Sequence, residues 1–196
     1  VLKERVYKSG GLYGEAIVEI VKWLKLAQGV AENQAQGGAL GLLIDYYNTG
    51  SLQTWDDYNV AWTAATEGNI DYINSFIEVY NDPVGYRGSY ETIVQIKDFD
   101  MSAKMAVLSE NAQWFEDNSP LMQEHKKDKV VGVSYKTVNV AGEAGDASPS
   151  TPIGVNLPNA NWIRAEVGSK SVSLGNIINA YNNAGSSGRL KEFVHD

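Results

Sequence analysis

Along the first third of the chain, apolar residues recur at steps of three and four. Leu12, Ala16, Ile17, Ile20, Val21, Leu24 and Ala27 fall on one helical face, with Glu15, Glu19, Lys22 and Lys25 off it. A second helix is predicted over residues 33–48, carrying Ala39, Leu40, Leu43, Ile44 and Tyr47 and stopping at Gly50 as its C-cap. Thr54-Trp55-Asp56-Asp57 reads as a capping-box variant opening a third helix, which ends before Gly68. Its Trp55, Tyr58, Trp62 and Ala65 share one side and read as core.

After Gly68 the period changes. Residues 76–80 are dense in β-branched and aromatic side chains, Asp82-Pro83 with Gly85 supply a turn, and residues 91–97 form a second strand. Strict alternation puts Phe76, Glu78 and Tyr80 on one face and turns Glu78 to a solvent edge. A helix over residues 102–116 follows, with Met105, Leu108, Ala112 and Phe115 as its buried stripe, broken at Asn118-Ser119-Pro120. The charged run 124–129 reads as a solvated loop, residues 130–138 as a strand and residues 141–150 as a loop.

The stretch 151–176 organises the rest. It begins as a short apolar strand over residues 152–157 and stops at Pro158, which lacks a backbone donor. Asn156 and Asn159 flank that proline, and two readings stand: a turn leaving a strand, or amides gripping a polar ligand end. Ser173-Leu174-Gly175-Asn176 opens a last helix with Ile177, Ile178 and Tyr181, ending near Gly185. Helices, then strands with a helical insertion between them, make an α+β chain.

Composition narrows the chemistry. The 196 residues allow one large domain or two small ones, and the 43% hydrophobic content is that of a globular protein. A formal charge of −8 argues against nucleic acid as partner. The chain has no cysteine, hence no disulfide, thiolate nucleophile or zinc–thiolate site, in keeping with a cytoplasmic location. No apolar run approaches the roughly 20 residues that span a bilayer, so no membrane partner is expected. Both ends read as cut from something longer. The histidines, His125 in a charged loop and His195 near the C-terminus, offer no zinc-binding pair, and no phosphate loop or Ser-His-Asp pattern occurs. Read from its residues, the chain is the binding half of a site.

Two segments carry a family resemblance. FIEVYNDPVGYRG at residues 76–88 resembles the FIExYxDPxGxRG segment of the dipeptidyl peptidase III family of zinc exopeptidases. PIGVNLPN at 152–159, followed by Gly168, Lys170 and VSLGN at 172–176, resembles that family's PxGxNxPN...GxKxVSLGN region, with Glu91 and Met101-Ser102-Ala103-Lys104 in order between. Bacterial members are the most similar, on the runs 111–117 and 159–164, and the match is good over about residues 70–184. Val167 departs from the pattern, where a polar residue is expected.

The resemblance implies a two-lobed metallopeptidase with a β-barrel-like core facing a helical zinc lobe. Its HExxGH and EExxAE motifs do not occur in this sequence, so zinc would belong to the parent enzyme and this chain alone would hold no metal or other cofactor. Residues 1–98 would supply helices and first strands of the β-core lobe, 99–129 a helical segment of the opposite lobe, 130–172 the remaining strands, and 173–196 the start of the zinc lobe. By resemblance, Glu78 pairs with the α-ammonium of an oligopeptide substrate, and Asn156 and Asn159 help to fix it. The backbone of Pro152, Ile153, Gly154 and Val155 pairs with the extended peptide, and Tyr80 stabilises the oxyanion. The implied function is the substrate-binding portion of a dipeptidyl peptidase, inactive alone, with the zinc lobe as partner and self-association through exposed helix faces. The alternative is a non-catalytic peptide-binding or structural module derived from that lobe.

Overall fold

The computed structural model describes residues 4–130, 133–148 and 151–184, the side chains of 133–135 excepted. Readings that fall on residues 131, 132, 149, 150 and 185–196, His195 among them, lie outside these described residues. The chain divides into two compact units. One takes the residues up to Gly68 together with Pro158–Ser169; the other takes Asn69–Leu157 and continues from Lys170.

The first unit is helical. Helix α1 spans Gly14–Gly29 and buries Ile17, Val21 and Leu24 of the predicted stripe; Ile20 is half-buried, but Ala16 and Ala27 of that stripe are exposed, as are Trp23 and Leu26 beside it. Helix α2, Gln34–Thr49, starts where the Asn33 side chain accepts from the Gln36 N–H and stops at Gly50, whose φ of 71° closes the last turn onto the Tyr46 carbonyl. Helix α3 is Leu52–Ala64, starting and ending about one turn before the sequence reading. Its cap is Ser51, whose hydroxyl accepts the Thr54 N–H, so Thr54 lies inside the helix and the capping-box reading is corrected. The chain leaves Gly50 extended, and Ser51 is the first residue able to cap. Tyr58 and Trp62 are buried as expected, and Trp55 packs between Tyr46 and Tyr58 at ring separations of 4.9 and 5.3 Å. A short helix α6, Asn161–Glu166, was not foreseen and buries Ile163 completely.

The second unit is built on a five-stranded sheet: β1 Ile70–Glu78, β2 Ser89–Lys97, β3 Val133–Gly145, β4 Gly154–Leu157 and β5 Ser169–Leu174, in the order β1-β2-β3-β5-β4. Pairing is antiparallel between β1 and β2, β2 and β3, and β4 and β5. The helical insertion stands between β2 and β3 as α4, Phe99–Glu110, and α5, Ala112–Asp117; α7, Gly175–Asn183, follows β5. The α+β class and the helical insertion are therefore those expected.

Element limits differ in instructive ways. β1 begins six residues before the predicted strand and ends at Glu78, leaving Val79 and Tyr80 outside. β3 continues through Gly145, into residues read as loop, because the ladder with β2 holds Gly142, Glu143, Ala144 and Gly145 opposite Val94, Ile93, Thr92 and Glu91. Tertiary pairing overrides the small-residue composition there. β5, the partner of β4, was missed entirely. The predicted helix over 102–116 is two helices meeting at Asn111, and its stripe is not buried: Leu108 is 46% and Phe115 50% exposed. Only the first turns of α4 are stitched to the sheet, so no described element covers the stripe.

That stitching has a particular form. β2 ends at Lys97, and its ladder with β3 is carried on by α4: the Asp98 N–H and the Ser102 hydroxyl both donate to the Thr137 carbonyl at 2.9 Å, and the Ser102 hydroxyl accepts the Thr137 N–H. After β5 ends at Leu174, the Asn176 amide accepts the Val140 N–H at 3.0 Å and donates to the Val140 carbonyl at 3.1 Å. Side chains thus take the place of strands that have ended, satisfying backbone groups that would otherwise be orphaned. Val138, Val172 and Leu174 form the buried cluster beneath, with Val140, Val155 and Ile177 against it.

Candidate functional site

Three carboxyl groups gather where β1, β2 and β3 come to one end. The β1–β2 register slips between Phe76 and Glu78, so Ile77 is bulged and Glu78 pairs with Ser89. Glu91 pairs across with Ser75 on β1 and Gly145 on β3. Gly145 has φ 72°, and a Cβ there would collide with the Tyr90 carbonyl, so glycine is required. That turn lets the Asp146 N–H donate to the Tyr90 carbonyl at 2.8 Å and sets Asp146 beside Glu91.

Electrostatics report the crowding. Burial, then the charges of Glu78 and Asp146, push the Glu91 carboxyl up to about 7 from an ordinary value near 4.5. Interaction with Glu78 first, then slight burial and the charges of Glu78, Glu91 and Asp146, holds the Tyr80 phenol above its usual range. Like charges held this close are relieved by a bound cation, and carboxylates are strong hydrogen-bond acceptors for an ammonium.

The loop between β1 and β2 is wound on Asp82. Its carboxylate accepts the N–H groups of Val84, Tyr86 and Arg87 at 3.1, 2.9 and 2.7 Å, and those bonds hold its pKa below the ordinary carboxylate value. The Asp82 backbone closes two further turns, its N–H to Val79 and its carbonyl from Gly85. This explains the Asp, the Gly at φ 72° and the length of the DPVGYRG run.

β4 is the last strand of the order and pairs on one side with β5. Gly154 is needed there because a Cβ would meet the Val172 carbonyl at 2.9 Å. The Ile153 carbonyl accepts the Leu174 N–H, the Ile153 side chain is 61% exposed, and exposed Asn156 accepts the Ser171 hydroxyl at 3.0 Å. Pro158 ends the strand, as its chemistry predicts.

Of the residues singled out from sequence, the fold brings Glu78 and Tyr80 together. Pro152, Ile153, Gly154, Val155 and Asn156 lie along or just before β4, and Asn159 falls past Pro158 in the first unit. The alternation argument is corrected: the bulge breaks the shared face, Glu78 is half-buried at the end of β1, the first strand of the order, and Tyr80, 80% exposed, lies in the loop. Glu91 was quoted only for its order and Asp146 only as loop composition. The available signal was a glutamate opening the predicted strand, just before Thr92, Ile93 and Val94. Among the described residues no three His, Cys, Asp or Glu side chains are placed to hold a metal ion. The described groups thus offer no donor set for the zinc implied by the resemblance. No helix of the described residues is long and apolar enough to cross a membrane.

Comparison with known proteins agrees with the motif reading and extends it. The model of peptidase family M49 matches residues 2–196, so the match takes in the N-terminal helices as well as the region from residue 70 on. The dipeptidyl peptidase 3 of Nematostella vectensis is 32% identical over 171 residues, 87% of this chain and 23% of that protein. The dipeptidyl peptidase 3 of Homo sapiens is 30% identical over 168 residues, 86% and 22% respectively. The chain therefore spans less than a quarter of the length of these relatives. Among solved structures, DPP III from Caldithrix abyssi superposes with a TM-score of 0.77 at 24% identity, over 88% of this chain and 33% of that one. Dipeptidyl-peptidase III from Corallococcus sp. strain EGB gives 0.74 at 22% identity, over 88% and 32%. The fold is that of part of these enzymes, and the chain belongs to peptidase family M49.

Proposed function

We propose that this chain is the substrate-holding part of a dipeptidyl peptidase that releases dipeptides from the free amino end of oligopeptides. The observation that carries the reading is the convergence of Glu78, Glu91 and Asp146 at one end of the sheet. An α-ammonium is the cation that such a cluster takes, with Glu78 as its direct partner and Asn156 helping to fix it. From that anchor the peptide runs extended along β4, whose outer edge, beginning at Pro152 and Ile153, offers main-chain groups to any sequence. Fixing the amino end sets the distance to the scissile bond, which is what makes the product a dipeptide.

Tyr80 then has two states. In the free chain Glu78 favours its protonated phenol. With an ammonium at Glu78, the hydroxyl is kept to donate to the carbonyl oxygen as charge develops there. The zinc of the parent enzyme would be held by residues other than those described, so no step assigned to this chain passes through it, and the chain alone is inactive. The exposed face of α4 and α5, with Val107, Leu108, Trp114 and Phe115, is the surface that the rest of the enzyme would cover. In its absence two copies would associate through it. The cysteine-free composition fits a cytoplasmic enzyme.

The test uses the full-length enzyme. Glu78→Gln should raise KM for peptides with a free amino terminus and change kcat little, because the ammonium charge is present in ground and transition states alike. The wild type should reject N-acetylated peptides strongly and the variant much less. Unchanged KM and unchanged preference would remove Glu78 as the anchor.

A further inference from the structure

The inner face of the sheet changes character across its width. Register sets Asp71, Ile73 and Ser75 of β1 opposite Gln95, Ile93 and Glu91 of β2, and the Ile93 and Gln95 rows run on to Glu143 and Val140 of β3. Side chains paired in this way share one side of the sheet. Ile73, Ser75, Ile93 and Gln95 are buried, so that side faces inward. Toward β5 it is lined by the apolar cluster of Val138, Val172 and Leu174. Toward β1 it is polar. Ser75 Oγ, Gln95 Oε1 and Glu143 Oε2 are buried with no hydrogen-bond partner among the described residues, although the other Glu143 oxygen takes the Thr151 hydroxyl. Buried polar atoms are rarely left bare in folded proteins, because they have given up their bonds to solvent.

Gln95 is the case that its surroundings resolve. It is 1% exposed and stands directly across the ladder from Asp71, a pairing that leaves Cβ atoms about 5 Å apart. The Asp71 carboxylate holds the ammonium of buried Lys170 at 2.8 Å. We propose that Gln95, Asp71 and Lys170 line a site for one ordered water, which donates to Gln95 Oε1 and to the Asp71 carboxylate and accepts from the Lys170 ammonium. The donors and acceptors match. Two acceptors cannot satisfy each other without protons between them; a water brings two, and the ammonium supplies the donor for its lone pair. A buried water makes about three such bonds. The site also enlists β2: the ion pair alone ties β1 to β5, whereas the bridged group ties β2 to both.

The test is a crystal structure of the full-length enzyme at a resolution that shows ordered solvent. The expected result is a water peak within hydrogen-bond distance of Gln95 Oε1, Asp71 and Lys170. A dry contact there, or a direct bond from the Gln95 amide group to Asp71, overturns the inference. Gln95→Met keeps the length of the side chain and removes the acceptor, so it puts the same question to stability. With the water in place, the variant leaves that water short of a partner, and the thermal midpoint of the enzyme should fall. If Gln95 Oε1 is bare, methionine removes an unsatisfied group and the midpoint holds or rises, which also overturns the inference. Should the variant not fold, the wild-type density decides alone. Nothing here rests on the peptide anchor: an enzyme indifferent to free amino termini would lose that reading of Glu78 and keep this water.

Discussion

The ammonium of Lys170 lies 2.8 Å from the carboxylate of Asp71, between strands that are not neighbours. β2 and β3 stand between β1 and β5. In a flat sheet three strand spacings amount to about 14 Å, with both side chains projecting away from the plane. A direct ion pair therefore requires the sheet to curl, with Asp71 and Lys170 on the concave side. Lys170 is 5% exposed and Asp71 24%, as an interior pair should be. This is the physical content of the barrel-like core that the family resemblance implies.

Removing one partner should be costly and removing both should not. Asp71→Ala leaves a buried lysine, its pKa already pulled down by burial, without the carboxylate that opposes that shift; about 3–5 kcal/mol of stability should be lost. Lys170→Met leaves the more exposed carboxylate and should cost less. Asp71→Leu combined with Lys170→Met should recover most of the loss. Urea midpoints of the three variants measure this; a double variant as unstable as Asp71→Ala would refute the pairing argument.

Glu91 makes stability fall with rising pH. Its folded value, about 7, lies above its ordinary value of 4.5, so between these limits the native state keeps a proton that the unfolded chain has released. The sign is that of a destabilising charge: the penalty is absent below 4.5 and complete above about 7. Screening at a part-exposed carboxyl limits it to roughly 1–2 kcal/mol. Melting temperature plotted against pH should decline across this window in the wild type and stay flatter in Glu91→Gln. Parallel curves would mean that Glu91 is not crowded.

Tyr80→Phe in the full-length enzyme should act on turnover. The hydroxyl meets charge that exists only near the tetrahedral stage, and loss of one such donor costs roughly 100- to 1,000-fold in kcat. Steady-state kinetics on one free-amino peptide should show KM little changed. An effect confined to KM would move Tyr80 from the chemistry to binding.

Gly145→Ala should loosen the acidic cluster from the β3 side. The residue has φ 72° and its Cβ would strike the Tyr90 carbonyl, so the turn must open, at a cost of about 1–3 kcal/mol. Asp146 then retreats from Glu91, and the Glu91 titration, read by NMR, should move down from about 7. No movement would mean that the Asp146 charge is not felt there.

How much of this was legible beforehand divides along a physical line. Local signals were readable: the stripe of α1, the Gly50 stop, the Pro158 end of β4 and the Asp82 turn all come from residues a few positions apart. Glu78 and Tyr80 were singled out through motif resemblance, since alternation alone sent Glu78 outward; the bulge at Ile77 has no local mark. What was missed depends on distant partners. β5 reads as a run of Ser, Lys and Val until β4 is laid beside it, and the far half of β3 is strand only because β2 needs it. Glu91 and Asp146 join one cluster through a ladder between segments more than fifty positions apart, beyond any spacing rule.

The two side chains that continue interrupted ladders have a consequence for solvent exchange. The Thr137 amide is shielded by the Ser102 hydroxyl and the Val140 amide by the Asn176 carbonyl, so neither depends on a strand partner for those bonds. Each can meet deuterium when its helix lifts, while neighbouring amides held by β2 wait for the sheet itself to open. Two amides three positions apart on one strand are thus separate clocks, one keeping time for α4 and the other for α7.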